Sequence, residues 1–146
     1  MAETTTRVDF YVLRSAEPGA RLRFACRLAE KAYALEHQVY VHTASAAEAA
    51  ELDELLWTFR AGSFVPHELC ASGRTSEAPV NIGCAGGAAT SGELLVNLTA
   101  EIPAFFDQFA RVAEIIDATE ACKRGGRERF RVYRNSGYEP QTHQIS

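Results

Sequence analysis

The sequence is poor in the residues from which catalytic and metal sites are usually built. Four histidines (His37, His42, His67 and His143) and four cysteines (Cys26, Cys70, Cys84 and Cys122) are scattered along 146 residues. No two cysteines form a C-x-x-C and none stands near a histidine at ligand spacing, so no metal site is expected. In a reducing compartment such cysteines read as small buried apolar residues. G-x-S-x-G is absent, so no serine is set up as a nucleophile with a histidine base. G-x-G-x-x-G is absent too, which removes the dinucleotide fingerprint. Gly87 and Gly92 have the separation of a phosphate-binding loop, but Glu93 and Leu94 follow where a lysine and a hydroxyl residue are needed. An acid in that place repels phosphate. Asp53 and Glu54 are adjacent on a helix, so their carboxylates point about 100° apart and do not converge.

There is no apolar run long enough to span a bilayer. The first residues, Met1 to Arg7, lack the apolar core of a signal peptide, so a cytoplasmic location is expected. With 47% hydrophobic and 23% charged residues, the 146-residue chain reads as one domain with a core of its own. Residues 1–6 and 139–146 read as flexible tails, and no internal repeat is visible.

What is present is an alternation of strand and helix patterns. Arg7–Leu13 reads as a strand buried on both faces, and Arg21–Leu35 carries apolar residues at helical spacing. Gln38–His42 reads as a second strand. Ser45 with Glu48 forms a capping-box pattern that opens a helix through Leu52, Leu55 and Leu56. Val80–Cys84, Glu93–Leu98 and Val112–Ile116 read as three further strands, with a glycine-rich connection from Gly83 to Gly92. Phe105, Phe106 and Phe109 follow Ile102-Pro103 as a short helical turn, and a basic helix closes the chain. This order predicts an α/β fold with a mainly parallel, roughly five-stranded sheet of Rossmann-like topology and crossover helices.

Two stretches stand out as surfaces. The first runs from Leu52 to His67 and holds the only tryptophan, Trp57. Pro66 lacks a backbone donor and pushes Val65 towards an extended conformation, so Phe64 and Val65 lie on a segment barred from a central strand. It reads either as a lid over its own core or as an apolar surface for a partner. The second stretch is basic. Between Ala121 and Tyr138 six cations face one acid, a net +5 that leaves −9 for the rest of a chain whose total is −4. Such a localised basic element implies a localised anionic partner. Lys123, Arg127, Phe130, Arg131 and Arg134 fall along one helix face. Cations around a ring suit an acidic peptide with an apolar end, or a phosphate backbone, though that commonly uses a longer basic surface. The plain alternative is a solvated basic face.

The residues also carry a resemblance. Leu52-Asp-Glu-Leu-Leu-Trp57, then Ser63-Phe-Val-Pro-His67, then Ala78-Pro-Val80 resemble the chi subunit family of bacterial DNA polymerase III. Phe10-Tyr-Val-Leu13 and the block from Arg127 to Tyr138 fit in the same order, from about Asp9 to Tyr138. The resemblance implies a non-catalytic accessory of the clamp-loader assembly with a three-layer α/β/α fold and no cofactor. It implies two partners, the psi subunit and the acidic, phenylalanine-ended tail of single-stranded DNA-binding protein, so that nucleic acid is reached mainly indirectly. Carried over by motif, Trp57, Phe64, Val65, Pro66 and His67 match the psi-facing surface. Lys123, Arg127, Phe130, Arg131 and Gly137 match the tail-binding surface. Two departures carry expectations of their own. Gly125-Gly126 costs a helix ~2 kcal/mol relative to alanine, which predicts a late helix start with Lys123 on a loop. Phe130 stands where a tyrosine is expected, so the ring is kept and the hydroxyl lost. From a different class, the alternative is a phosphate- or nucleotide-binding α/β enzyme using a crevice near His42 and Gly86. His42 itself reads as a solvated or hydrogen-bonded structural histidine.

Overall fold

The computed structural model describes residues 6–59, 65–69, 78–84 and 92–145. Their elements follow in the order β1 (Arg7–Leu13), α1 (Ala20–Ala34), β2 (Val39–Thr43), α2 (Ala46–Thr58), β3 (His67–Leu69), β4 (Val80–Cys84) and β5 (Gly92–Asn97). A 3₁₀ turn (Phe106–Gln108), β6 (Phe109–Ile116), α3 (Glu120–Asn135) and β7 (Gln141–Ile145) complete them. The strands form one sheet in the order β3-β4-β2-β5-β6-β1-β7, and every pair is parallel. Parallel neighbours need crossover connections; α1, α2 and α3 supply those after β1, β2 and β6, and the segment with the 3₁₀ turn joins β5 to β6.

Strand alternation divides the core in two. Leu13, Val41, Ile82, Val96 and Ile115 face α1 and α2, where Leu52 and Leu56 are each 1% exposed. Val8, Phe10, Leu95, Val112 and Ile116 face α3 and the segment around the 3₁₀ turn. The expected capping box forms one residue out of register. The Ser45 hydroxyl oxygen accepts from the Glu48 N–H (3.1 Å), while the Glu48 carboxylate accepts from the Ala44 N–H (2.9 Å).

The expected α/β class with a parallel sheet holds, and four details differ. Among the described residues the sheet has seven strands, because β3 and β7 join the five that the sequence pattern marks. Residues 139–146, expected as a flexible tail, contain β7, which pairs with β1 from Asp9↔Gln141 to Leu13↔Ile145. Its polar side chains gave no apolar alternation, yet the backbone ladder, His143 bonded to Asp9 and Ile145 packed on the core hold it. Phe109, expected in a helical turn, opens β6, and only Phe106–Gln108 is helical. At the other end, Thr6 is buried and donates to the Phe109 carbonyl (2.7 Å), while residues 1–5 of the expected tail lie outside the described residues.

Candidate functional site

Helix α3 carries the basic stretch, and it is continuous. The N-cap is Thr119, whose hydroxyl oxygen accepts from the Cys122 N–H, and the helix runs through both glycines to Asn135. The expectation of a late start is therefore corrected, and Lys123 is helical. Tertiary packing explains the difference. A Cβ on Gly126 would lie 2.7 Å from Ile116 Cδ1, so glycine lets the helix lie directly on the sheet. Propensity is a weak prior against such a contact.

Two stripes of α3, one residue apart, do different work. Cys122, Gly126, Arg129 and Tyr133 recur at i, i+4, i+7 and i+11 and form its sheet-facing side. Beneath them sits Glu114, fully buried in the middle of β6. Its carboxylate accepts from Arg129 Nε, Tyr133 Oη and Asn97 Nδ2, each at 2.9 Å. Arg129 also donates to the Ala100 carbonyl (3.1 Å). Burial raises the Glu114 pKa, while Arg129, Asn97 and Tyr133 pull it back by bonding the charged form. Burial, with Glu114 beside it, pushes the Tyr133 phenol far above its ordinary range. Arg129 is thus a structural cation inside what the sequence presents as a basic face. An acid amid Val112-Ala-Glu-Ile-Ile116 is the one signal of this pair in the sequence.

The second stripe, Lys123, Arg127 and Phe130, turns towards the β1–β7 edge. There it meets Phe10, Val12, Ile116 and Thr142 around a hollow of about 280 Å³. Phe130 packs on Phe10 with ring centroids 5.2 Å apart, a contact that needs no hydroxyl. Lys123 is 3.9 Å from Glu120, an exposed pair. Among the described residues, Arg127 makes no ion pair. Arg131 does not line the hollow; it is exposed and pairs with Glu128 (2.9 Å). Gly137 does not line it either. With φ +98° it ends α3 in the left-handed region, and the Tyr138 N–H donates back to the Tyr133 carbonyl (3.0 Å). That turn directs the chain into β7 and so brings Thr142 to the hollow. Phe10, Val12, Ile116 and Thr142 were missed as site residues, because spacing within a helix does not say which strands lie under it.

At the opposite sheet edge, Trp57 is 53% exposed on α2. Its ring lies 4.7 Å from that of His67. The His67 side chain is fully buried, within 2.7 Å of the Val65 carbonyl and 3.2 Å of both the Asp53 carbonyl and its carboxylate. Val65 is 1% exposed and belongs to the core. Of the residues expected on this surface, Trp57 and half-buried Pro66 reach solvent, whereas Val65 and His67 support it from below. Val65 belongs to the core and the His67 imidazole is held by the Val65 and Asp53 carbonyls, so within this chain both serve to position Trp57 and Pro66. Phe64 lies outside the described residues.

The enzyme alternative gains little here. His42 is half-buried, stacked on Tyr40 and edge-on to Phe105. Its Nδ1 is buried without a hydrogen-bond partner among the described residues, and burial lowers its pKa by disfavouring the charged ring. The half-buried ring thus has one nitrogen turned inwards, held by its stacking on Tyr40 and its edge contact with Phe105. Gly86 lies outside the described residues. No group of three or more potential metal ligands occurs among the described residues, and none of their helices is long and apolar enough to cross a membrane.

Residues 5–141 match the family model of the DNA polymerase III chi subunit, HolC. The chain belongs to the DNA polymerase III chi subunit family. The chi subunit of Pseudomonas aeruginosa is 47% identical over 140 residues, covering 96% of this chain and 97% of that one. The chi subunit of Haemophilus influenzae is 30% identical over 146 residues, covering 99% of each chain. That of Escherichia coli is 29% identical over 121 residues, 82% of each. The crystal structure of T4 UvsW superimposes with a TM-score of 0.67 over 97% of this chain and 42% of that one. At 11% identity this likeness concerns the fold alone. As a chi-family protein, the chain is an accessory subunit of the polymerase and acts in DNA replication.

Proposed function

We propose that this chi-family chain is a non-catalytic bridge. One edge, around Trp57, binds the psi subunit of the clamp-loader assembly. The other edge, at the α3 hollow, takes the acidic, phenylalanine-ended tail of single-stranded DNA-binding protein. The observation that carries this reading is the hollow itself, an apolar recess with Lys123 and Arg127 at its rim. Its volume of about 280 Å³ exceeds the ~150 Å³ of an apolar cavity that accepts benzene. It therefore has room for a phenyl ring, with cations placed for the preceding carboxylates. Trp57 and the hollow stand at opposite edges of the sheet. Six interstrand steps of ~4.8 Å put about 29 Å between those edges, enough for two partners at once.

The energetic terms separate the contributions. An exposed charge pair contributes at most ~1 kcal/mol, whereas a buried phenylalanine ring contributes ~1.5–3 kcal/mol. Fluorescence anisotropy with the tail peptide, with and without its last phenylalanine, tests the reading. The shortened peptide should lose most binding even at low salt, while Arg127→Ala should weaken binding gradually, as raised salt does. Equal affinity of the two peptides would leave only a solvated basic face.

A further inference from the structure

We propose that the free edge of β7 is a docking rail, and that an acidic peptide seated in the hollow adds to it as an eighth strand. The inference rests on the reading of the hollow above and says how the rest of the peptide is held. Among the described residues β7 ends the sheet and pairs only with β1, which leaves one side of its backbone ladder open there. Gln141-Thr-His-Gln-Ile145 contains no lysine, arginine, acid or proline, the residues that usually guard an edge against added strands. Its Gln141, Thr142 and Gln144 are exposed.

The two faces of β7 open on two different recesses. Thr142, opposite Phe10, lines the hollow under α3. His143 and Ile145 point to the other face. His143 stacks on Tyr11 at 5.0 Å and bonds Asp9 at 2.9 Å. Ile145 lines a groove of about 840 Å³ beside Tyr11, Leu28 and Leu94. Successive side chains of a strand alternate between faces. An added strand therefore sends every second residue towards the hollow and the others towards the groove. A ring on a strand beside β7 reaches diagonally over Thr142, a distance aromatic side chains span. The charges sort the ligand. The hollow presents Lys123 and Arg127 and suits carboxylates and the aromatic end. The groove sets Arg27, Lys31 and Arg111 against Glu30 and Glu93, and suits uncharged residues. The occupant is thus an extended acidic peptide ending in an aromatic residue, held by main-chain hydrogen bonds as in other strand additions.

Residue-resolved amide exchange on the full chain tests this, with an acidic nonapeptide ending in phenylalanine as probe. At saturation, β7 amides facing away from β1 should slow by roughly tenfold or more. N-methylation of alternate peptide nitrogens should weaken binding about tenfold, while methylating the intervening ones does little. If Arg127 and Phe130 signals shift while β7 exchange is unchanged, the hollow binds the peptide and the rail is refuted. If no signal shifts at any peptide concentration, the reading of the hollow fails and the rail with it.

Discussion

Two arginines two residues apart on α3 should respond to truncation in opposite ways. Arg127 sits at the rim of the hollow, whereas the Arg129 guanidinium is buried 2.9 Å from a carboxylate with no exposure at all. Arg129→Met leaves Glu114 buried with Asn97 and Tyr133 as its remaining donors and removes the donor to Ala100. Stranding one member of a buried pair costs about 3–5 kcal/mol. At ~2–4 °C per kcal/mol for a chain of this size, the melting temperature should fall by roughly 6–20 °C. The double variant Glu114→Gln with Arg129→Met should recover part of that loss, because a neutral amide needs no counter-charge. Arg127→Ala should leave the melting temperature within about 1 °C, as exposed substitutions usually do. Circular dichroism melts at 222 nm are the right assay, since Trp57 is exposed and reports the core poorly. An Arg129→Met protein that melts with the wild type, or a double variant no better than the single, would refute the argument.

Three further outcomes are expected. Trp57→Ala should keep the fold and abolish pull-down of the psi subunit while leaving tail-peptide binding intact; a folded variant that still pairs normally removes Trp57 from that surface. Burial pushes the Asp9 carboxyl up, but His143, Arg7 and Arg111 outweigh it and hold its pKa below the ordinary 3.8. A lowered folded pKa gives stability that is fully present above the unfolded pKa and lost as pH falls through the folded pKa. Thermal melts should therefore drop below about pH 4, less steeply in Asp9→Asn, and parallel acid limbs would contradict this. Cys26 is fully buried, with its thiol pushed up to about 12, so iodoacetamide at pH 8 should label it only after unfolding.

The parts of the fold written in side-chain periodicity were legible. The strands around Val41, Ile82 and Val96, the α1 face through Cys26 and Ala29, and the Ser45 cap all have local causes. β7 was not legible, because a polar edge strand is held by its backbone and by the contacts of His143 and Ile145. Lys123, Arg127 and Phe130 could be grouped from helical spacing alone. Their floor could not, since Phe10, Val12 and Thr142 come from strands whose neighbours depend on crossovers. The same limit explains Val65 and His67. A proline-bounded motif marks where the chain is extended, but only packing decides that Trp57 faces out and its neighbours face in.

The two glycines carry the most consequential difference between local preference and fold. As isolated choices they should break α3 in its second turn. In place, Gly126 sits where any larger residue would press on Ile116, and one turn later Arg129 and Tyr133 bond to Glu114. The helix is thus intrinsically weakest where it must lie closest to the sheet, and contacts with β6 hold it there. A site formed that way takes its shape from the sheet. The hollow is lined by Ile116 from β6, Phe10 and Val12 from β1 and Thr142 from β7, all fixed by the parallel ladder before any ligand arrives. Its cations stand on a helix whose other face is bolted to a fully buried acid. A ligand entering it meets a preformed recess, so little of the binding free energy is spent on ordering the protein.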